Sequence, residues 1–302
     1  MTQGHVLSAG GASLSFDMVG AGPDVVLLHA GIADSRMWAG TVDALSDSYR
    51  VITYDQRGFG RSQPAPTVPF RPLDDVVAVL DNLAVDRFSV IGCSMGGTLA
   101  VDLAVRYPNR VQALVPVAAG VSGLPESNDA LEPEYGQLEA AVISGDLERF
   151  GQIALDIWAP IAATDPSDDR IRAQLLENRS GMIAWFTLPQ PGSAAYPHLG
   201  DITAPTLVVV GERDTADFLR ACHTLAAQIS GARIETLSAV DHNVPERAAA
   251  DSPSCCANSW IRLSAPIRIK PARICCREYG LTVSRRSQRQ RHAHRSNPAR
   301  HR

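Results

Sequence analysis

Short apolar runs rich in β-branched residues recur along the first 240 residues, and they constrain the fold more than any other feature of this chain. "VVLLHA" (residues 25–30) is one, and "RVITYD" (50–55), "RFSVIGCS" (87–94), "VQALVPVAA" (111–119), "PTLVVVGE" (205–212) and "ARIETLSAV" (232–240) repeat the pattern. A continuous run, rather than an in–out alternation, marks a strand buried on both faces. "ASLSFDMVG" (12–20) reads as a further strand ending in the turn "GAGPD". Between the runs lie helix-length segments: "SRMWAGTVDAL", "LDDVVAVLDNL", "GGTLAVDLAVRY" halted by Pro108, and "DFLRACHTLAAQI". This order predicts an α/β fold, a mostly parallel central sheet with helices on both faces and right-handed crossovers.

One stretch breaks the rhythm. Residues 121–198 hold no clear buried strand, but they do hold helical sequence such as "PEYGQLEAAVISGDLERFGQIALDIWA", together with Trp158 and Trp185. The expected organisation is an α/β core over residues 1–120 and 199–247, interrupted by a helical cap insertion over 121–198 and followed by a distinct tail over 248–302. The two tryptophans suit either a pocket lining or the insertion's own core.

Within this pattern, "VIGCSMGGTLAV" joins an expected strand to an expected helix through Gly92-Cys93-Ser94-Met95-Gly96-Gly97. A bare Gly-x-Ser-x-Gly arises by chance in about one chain in ten of this length. The strand–turn–helix setting makes it specific. Glycines at 92 and 96 allow close approach of helix and strand, and the turn lifts the Ser94 hydroxyl above the carboxyl edge of the sheet, where α/β proteins place their sites.

A serine hydroxyl needs a base to take its proton, and the base needs a carboxylate to orient it. In this setting the chain order is serine, acid, histidine. Asp214 follows the strand "PTLVVV" at the same sheet edge, with Asp217 as the alternative acid. His242 follows the last strand, in "VDHNVPER". His198, His223 and the tail residues His292, His294 and His301 are less well placed. An oxyanion hole needs two backbone N–H groups. Met95, after the nucleophile, supplies one; the loop His29-Ala30-Gly31-Ile32 supplies the other.

The segments "LLHAGIADSRMW", "VITYDQRGFGRS", "VIGCSMGG", "LVVVGERD" and "DHNVPER" resemble, in order and approximate spacing, the α/β-hydrolase superfamily, specifically its lidded alpha/beta hydrolase fold-1 group. The resemblance covers about residues 10–247. It implies Ser94 as nucleophile, Asp214 as acid, His242 as base, and Gly31 as the second oxyanion donor beside Met95. It also implies that the segment 55–62, "DQRGFGRS", shapes a loop beside the site without taking part in the chemistry. Two positions depart from the family pattern: the usual His-Gly is His29-Ala30, and Cys93 precedes the nucleophile. A serine at the elbow argues against haloalkane dehalogenases and epoxide hydrolases, which use aspartate there.

The implied activity is serine-hydrolase cleavage of a small carboxylic ester or lactone, with no cofactor and no metal; the body has no Cys/His cluster at zinc spacing. The same triad serves carbon–carbon bond hydrolases, amidases and perhydrolases. A reading from another class is a non-catalytic small-molecule-binding protein or inactive relic on the same scaffold. The partner expected is a small-molecule substrate. No run approaches the ~20 apolar residues of a membrane span, and the first residues lack a signal-peptide pattern, so a cytoplasmic location is expected. Oligomeric state is left open.

The net charge of −4 conceals an uneven distribution. Residues 248–302 hold 12 of the 28 Lys+Arg but only Asp251 and Glu278 of the 32 acidic residues, and four of the six cysteines. The stretch "PERAAADSPSCCANSW" begins as a helix and then loses apolar periodicity and meets Pro253, which costs a helix interior ~3 kcal/mol. A basic arm for an anionic partner, a solvated extension, and a shifted reading frame in GC-rich coding are the three readings. The last is preferred, and nucleic-acid binding is not expected.

Overall fold

The computed structural model describes residues 4–125, 132–165, 168–189, 191 and 194–250. The expectations for the basic tail past residue 250 lie outside the described residues. Eight strands form one sheet: β1 (His5–Ala9), β2 (Ala12–Val19), β3 (Asp24–Leu28), β4 (Arg50–Tyr54), β5 (Phe88–Cys93), β6 (Val111–Val117), β7 (Leu207–Gly211) and β8 (Arg233–Leu237). Their order is β1-β2-β4-β3-β5-β6-β7-β8. The first two strands are antiparallel to their neighbours, and the rest of the sheet is parallel. This is the mostly parallel sheet that the apolar runs predict. β1 was not among the expected strands: it is an edge strand whose residues are mostly exposed, so no apolar run announces it.

Both faces of the sheet are covered, as continuous apolar strands require. Val25, Leu27, Val51, Ile91, Val115 and Val209 point to one layer, which includes α1 (Ala39–Leu45) and α9 (Val244–Ala250). Val26, Leu28, Ile52, Val90, Leu114 and Val208 point to the other, against α2 (Pro72–Asn82), α3 (Met95–Arg106) and α8 (Ala216–Gln228). Each such side chain contributes about 1.5–3 kcal/mol by leaving water.

Between β6 and β7 the chain forms α4 (Glu132–Ser144), α5 (Leu147–Trp158), α6 (Pro160–Thr164) and α7 (Asp169–Thr187). The helical sequence ending in "ALDIWA" breaks into α4 and α5 at Gly145, whose φ is 73°; Asp146 then caps α5 by accepting from the Arg149 N–H at 3.0 Å. The segment "SRMWAGTVDAL" likewise opens as a tighter 3-10 turn (Ser35–Trp38) before α1. There the Asp34 carboxylate accepts the Arg36 N–H, and the Ser35 N–H is drawn to Asp55.

Candidate active site

Every sequence-selected residue follows the carboxyl end of a parallel strand: Gly31 follows β3, Ser94 follows β5, Asp214 follows β7 and His242 follows β8. Ser94 has φ 53° and ψ −116°, a left-handed backbone that a side chain seldom adopts. Two neighbouring glycines make the turn feasible. A Cβ on Gly92 would lie 2.1 Å from the Gly96 carbonyl oxygen, and one on Gly96 would lie 2.2 Å from the Leu28 carbonyl oxygen. The Ser94 N–H is held by the Val117 carbonyl at 2.9 Å, which fixes the elbow to the adjacent strand.

His242 and Asp214 meet. The Nδ1–H of His242 donates to Asp214 Oδ1 at 2.9 Å, with Oδ2 at 3.1 Å, and both side chains are almost wholly buried. Asp214 Oδ1 also accepts the Thr215 N–H at 2.7 Å, which holds the carboxylate in register with the ring. Phe218 packs on the imidazole with ring centroids 4.2 Å apart. Asp217, the alternative acid, lies in the first turn of α8, 3.8 Å from Arg220. His242 Nε2 is buried and has no hydrogen-bond partner among the described residues. Ser94 and His242 are therefore not joined by a hydrogen bond here. They are neighbours through Cys93, whose thiol lies 4.0 Å from the His242 carbonyl oxygen.

Gly31 and Met95 stand side by side: a Cβ on Gly31 would sit 3.5 Å from the Met95 sulfur. Among the described residues neither backbone N–H makes a hydrogen bond. The Gly31 loop is held from below by His29. The Gln56 N–H donates to His29 Nε2 at 2.8 Å, so the ring proton is on Nδ1 and goes to the Ala30 carbonyl at 2.8 Å. The Gln56 side chain closes the clasp by donating to the His29 carbonyl. Burial pushes His29 below the usual histidine range, outweighing the opposing pull of the Ala30 carbonyl, Asp55 and Asp34. The ring is thus a neutral strut. The "DQRGFGRS" loop supplies the clasp, and Asp55 anchors it by accepting from the Ser35 and Arg61 N–H groups.

Cys93 is fully buried, and burial drives its thiol well above the usual cysteine range, with further raising from Asp214. It has little thiolate character, which removes it as a competing nucleophile.

A cavity of about 390 Å³ opens beside Ser94. Gly31, Ser94 and Met95 line its floor; Trp158, Trp185, Met182 and Phe186 line it from the helices between β6 and β7. Both tryptophans face this space, and Trp158 also belongs to the buried core. The long helix α7, which apolar spacing did not single out, docks here through Asn178. Its amide donates to Asp34 Oδ2 at 2.9 Å and its carbonyl oxygen accepts the Gly60 N–H at 2.7 Å. A wider hollow of about 860 Å³ lies at the amino edge of the sheet, lined by Pro23, Ser89 and Val111, and holds none of the candidate residues.

A serine on a strained strand–helix turn beside an apolar cavity, with a buried histidine–carboxylate pair close by and two N–H groups unpaired among the described residues, is the kind of arrangement that α/β hydrolases carry. The chain matches the family model for the alpha/beta hydrolase fold over residues 23–247, and it belongs to that family of hydrolases. It is 38% identical over 108 residues to a pimeloyl-[acyl-carrier protein] methyl ester esterase of Nitrosomonas europaea, a stretch covering 36% of this chain and 42% of the esterase. It is 27% identical over 205 residues to a zearalenone hydrolase of Cladophialophora bantiana, covering 63% and 71% of the two chains. The chain thus spans less than half the length of the esterase it matches. Among solved structures, the enol-lactonase of Burkholderia xenovorans LB400 superposes with a TM-score of 0.69 at 27% identity, covering 82% of this chain and 96% of the lactonase. Among the described residues no helix is long and apolar enough to cross a membrane.

Proposed function

We propose that this protein is a serine hydrolase that cleaves a small carboxylic ester or lactone through an acyl-enzyme. The observation that carries the reading is the left-handed Ser94 at the floor of an apolar cavity, with the buried His242–Asp214 pair alongside. His242 Nε2, which has no other partner among the described residues, takes the proton from Ser94 Oγ as that oxygen attacks the carbonyl. The Gly31 and Met95 N–H groups bind the oxyanion. Asp214 holds the Nδ1–H tautomer and stabilises the imidazolium; it is not itself protonated. The proton passes from His242 to the leaving alcohol, and water then repeats the sequence on the acyl-enzyme. The mostly apolar, aromatic lining supports an uncharged acyl or alcohol portion. The relatives that carry esterase and lactonase names are in keeping with this choice.

Labelling with a fluorophosphonate, followed by peptide mapping, tests the proposal. An adduct on Ser94 that disappears in His242→Ala is the expected result, together with turnover of short esters and lactones. A folded protein with no adduct and no turnover would instead be a binding protein on the same scaffold.

A further inference from the structure

Besides Ser94 itself, three hydroxyls line the cavity, those of Thr98, Ser122 and Tyr135. Two of them, Thr98 and Ser122, belong to the wall made by α3 and the loop after β6. A hydroxyl has one proton to donate, and in both cases it is already committed to the protein. Ser122 Oγ donates to Asp102 Oδ1 at 2.5 Å, and Thr98 Oγ1 donates to the Ser94 carbonyl at 3.3 Å. Ser122 Oγ also accepts the Ala195 N–H at 2.8 Å, which pins it between α3, the loop after β6 and the chain entering the Tyr196–Asp201 turn. Each oxygen keeps lone-pair capacity but no proton for a ligand.

We infer that this wall, formed by Thr98 and Ser122 with Asp102 behind them, is an acceptor-only subsite that selects ester or lactone substrates carrying a hydrogen-bond donor, such as a hydroxyl, away from the scissile carbonyl. The inference rests on the serine-hydrolase reading and adds a substrate class to it. A serine free to rotate offers either a donor or an acceptor, and so tolerates a hydroxyl, an ether or a carbonyl alike. A serine whose proton is bound to a carboxylate tolerates only the donor. Asp102 therefore acts through Ser122 as a positioning residue. Burial raises Asp102 to about 6, against the lowering effect of the Ser122 hydroxyl, so above pH 7 it is chiefly the acceptor-only carboxylate.

The test uses the full chain at pH 8 with matched p-nitrophenyl esters of 6-hydroxyhexanoic and 6-methoxyhexanoic acid, and matched hexanoate esters of 1,6-hexanediol and of its monomethyl ether. These place the donor or its methylated analogue on the acyl or the alcohol side. In the wild type, kcat/KM for the hydroxyl member of at least one pair exceeds the methoxy member by about fivefold, the worth of one net hydrogen bond. Ser122→Ala brings the ratio to about one. Asp102→Ala does the same by freeing the Ser122 proton, which then donates to the ether oxygen and raises turnover of the methoxy ester. A merely structural role for either residue lowers both members of a pair equally and leaves the ratio intact. An unchanged ratio in both variants, or no preference in the wild type, overturns the inference while leaving the hydrolase reading in place. If no ester is turned over and Ser94 takes no label, calorimetric binding of 1,6-hexanediol against its dimethyl ether reads the subsite directly. There a wild-type preference for the diol, lost in Asp102→Ala, supports it, and equal binding sinks it.

Discussion

Ser94 pays for its position with a backbone conformation that costs a non-glycine residue on the order of 1–3 kcal/mol, and the neighbouring strand and helix hold it there. The chemistry depends just as much on the pair behind it. Asp214→Asn keeps the shape but lets an amide N–H face His242 Nδ1, which favours the wrong tautomer. On the proposed mechanism kcat on any ester that is turned over falls by about 10⁴-fold, with the circular dichroism spectrum and the unfolding midpoint little changed. A drop of less than tenfold would mean that another group orients His242. The triad candidates were legible because each sits at a strand end that an apolar run announces, and the glycines around Ser94 are steric necessities visible in the motif. The Asp102–Ser122 pair was not. The two residues are 20 apart on different elements, and neither belongs to a motif. Only the packing of α3 against the loop after β6 brings them together.

At the scale of elements, α7 shows why the helices over the site were harder to read than the sheet. Its buried face includes Gln174 and Asn178 where periodicity looks for apolar residues. These amides are spent on docking. Gln174 donates to the buried Glu246 at 3.1 Å, and Asn178 bridges Asp34 and the Gly60 N–H. The segment between β6 and β7 is thus held to the core by these side-chain hydrogen bonds, as well as by the aromatic contacts of Trp185 with Phe59 and Phe70. Asn178→Leu has the right bulk but strands the Gly60 N–H without its partner and removes a donor from Asp34. Asp34 keeps its bonds from Arg36, so the Gly60 N–H is the one group left unpaired; that costs about 1–3 kcal/mol, and the variant should lose about that much in urea unfolding. Exchange of a buried amide for a leucine with no loss of stability would show that α7 is held by its apolar contacts alone.

For the whole molecule, the placement of acidic groups makes a pH profile that the charge count does not reveal. Residues 1–247 carry 30 of the 32 acidic residues, but their sequence says nothing of which are buried or paired; that depends on contacts such as Asn178–Asp34, which span 144 positions. Burial alone would raise Asp34, but hydrogen bonds from Arg36 and Asn178 outweigh it and hold the carboxyl at about 2, below the ordinary 3.8. Its stabilisation is present above the unfolded value and is lost as pH falls from about 4 toward 2. Asp102 behaves oppositely. Burial lifts it to about 6, so the folded state binds its proton more readily than the unfolded chain, and stability rises as pH falls from about 6 toward 4. Glu246 is also raised by burial, against the lowering effect of Arg170 and Gln174, and adds to the same trend. His29, held below the ordinary histidine value by burial, works the other way and loses stability as pH falls below about 6.5, so the two effects oppose each other between pH 7 and 5, and the urea midpoint is expected to drop below pH 4, where the Asp34 contribution is lost. Asp102→Asn, a permanently neutral mimic of the protonated acid, should be more stable than the wild type at pH 7 and indistinguishable from it near pH 4. That crossing pattern belongs to a buried carboxyl with a raised pKa. A variant weaker than the wild type at pH 7 would show instead that the ionised Asp102–Ser122 bond contributes more than the burial of its charge costs.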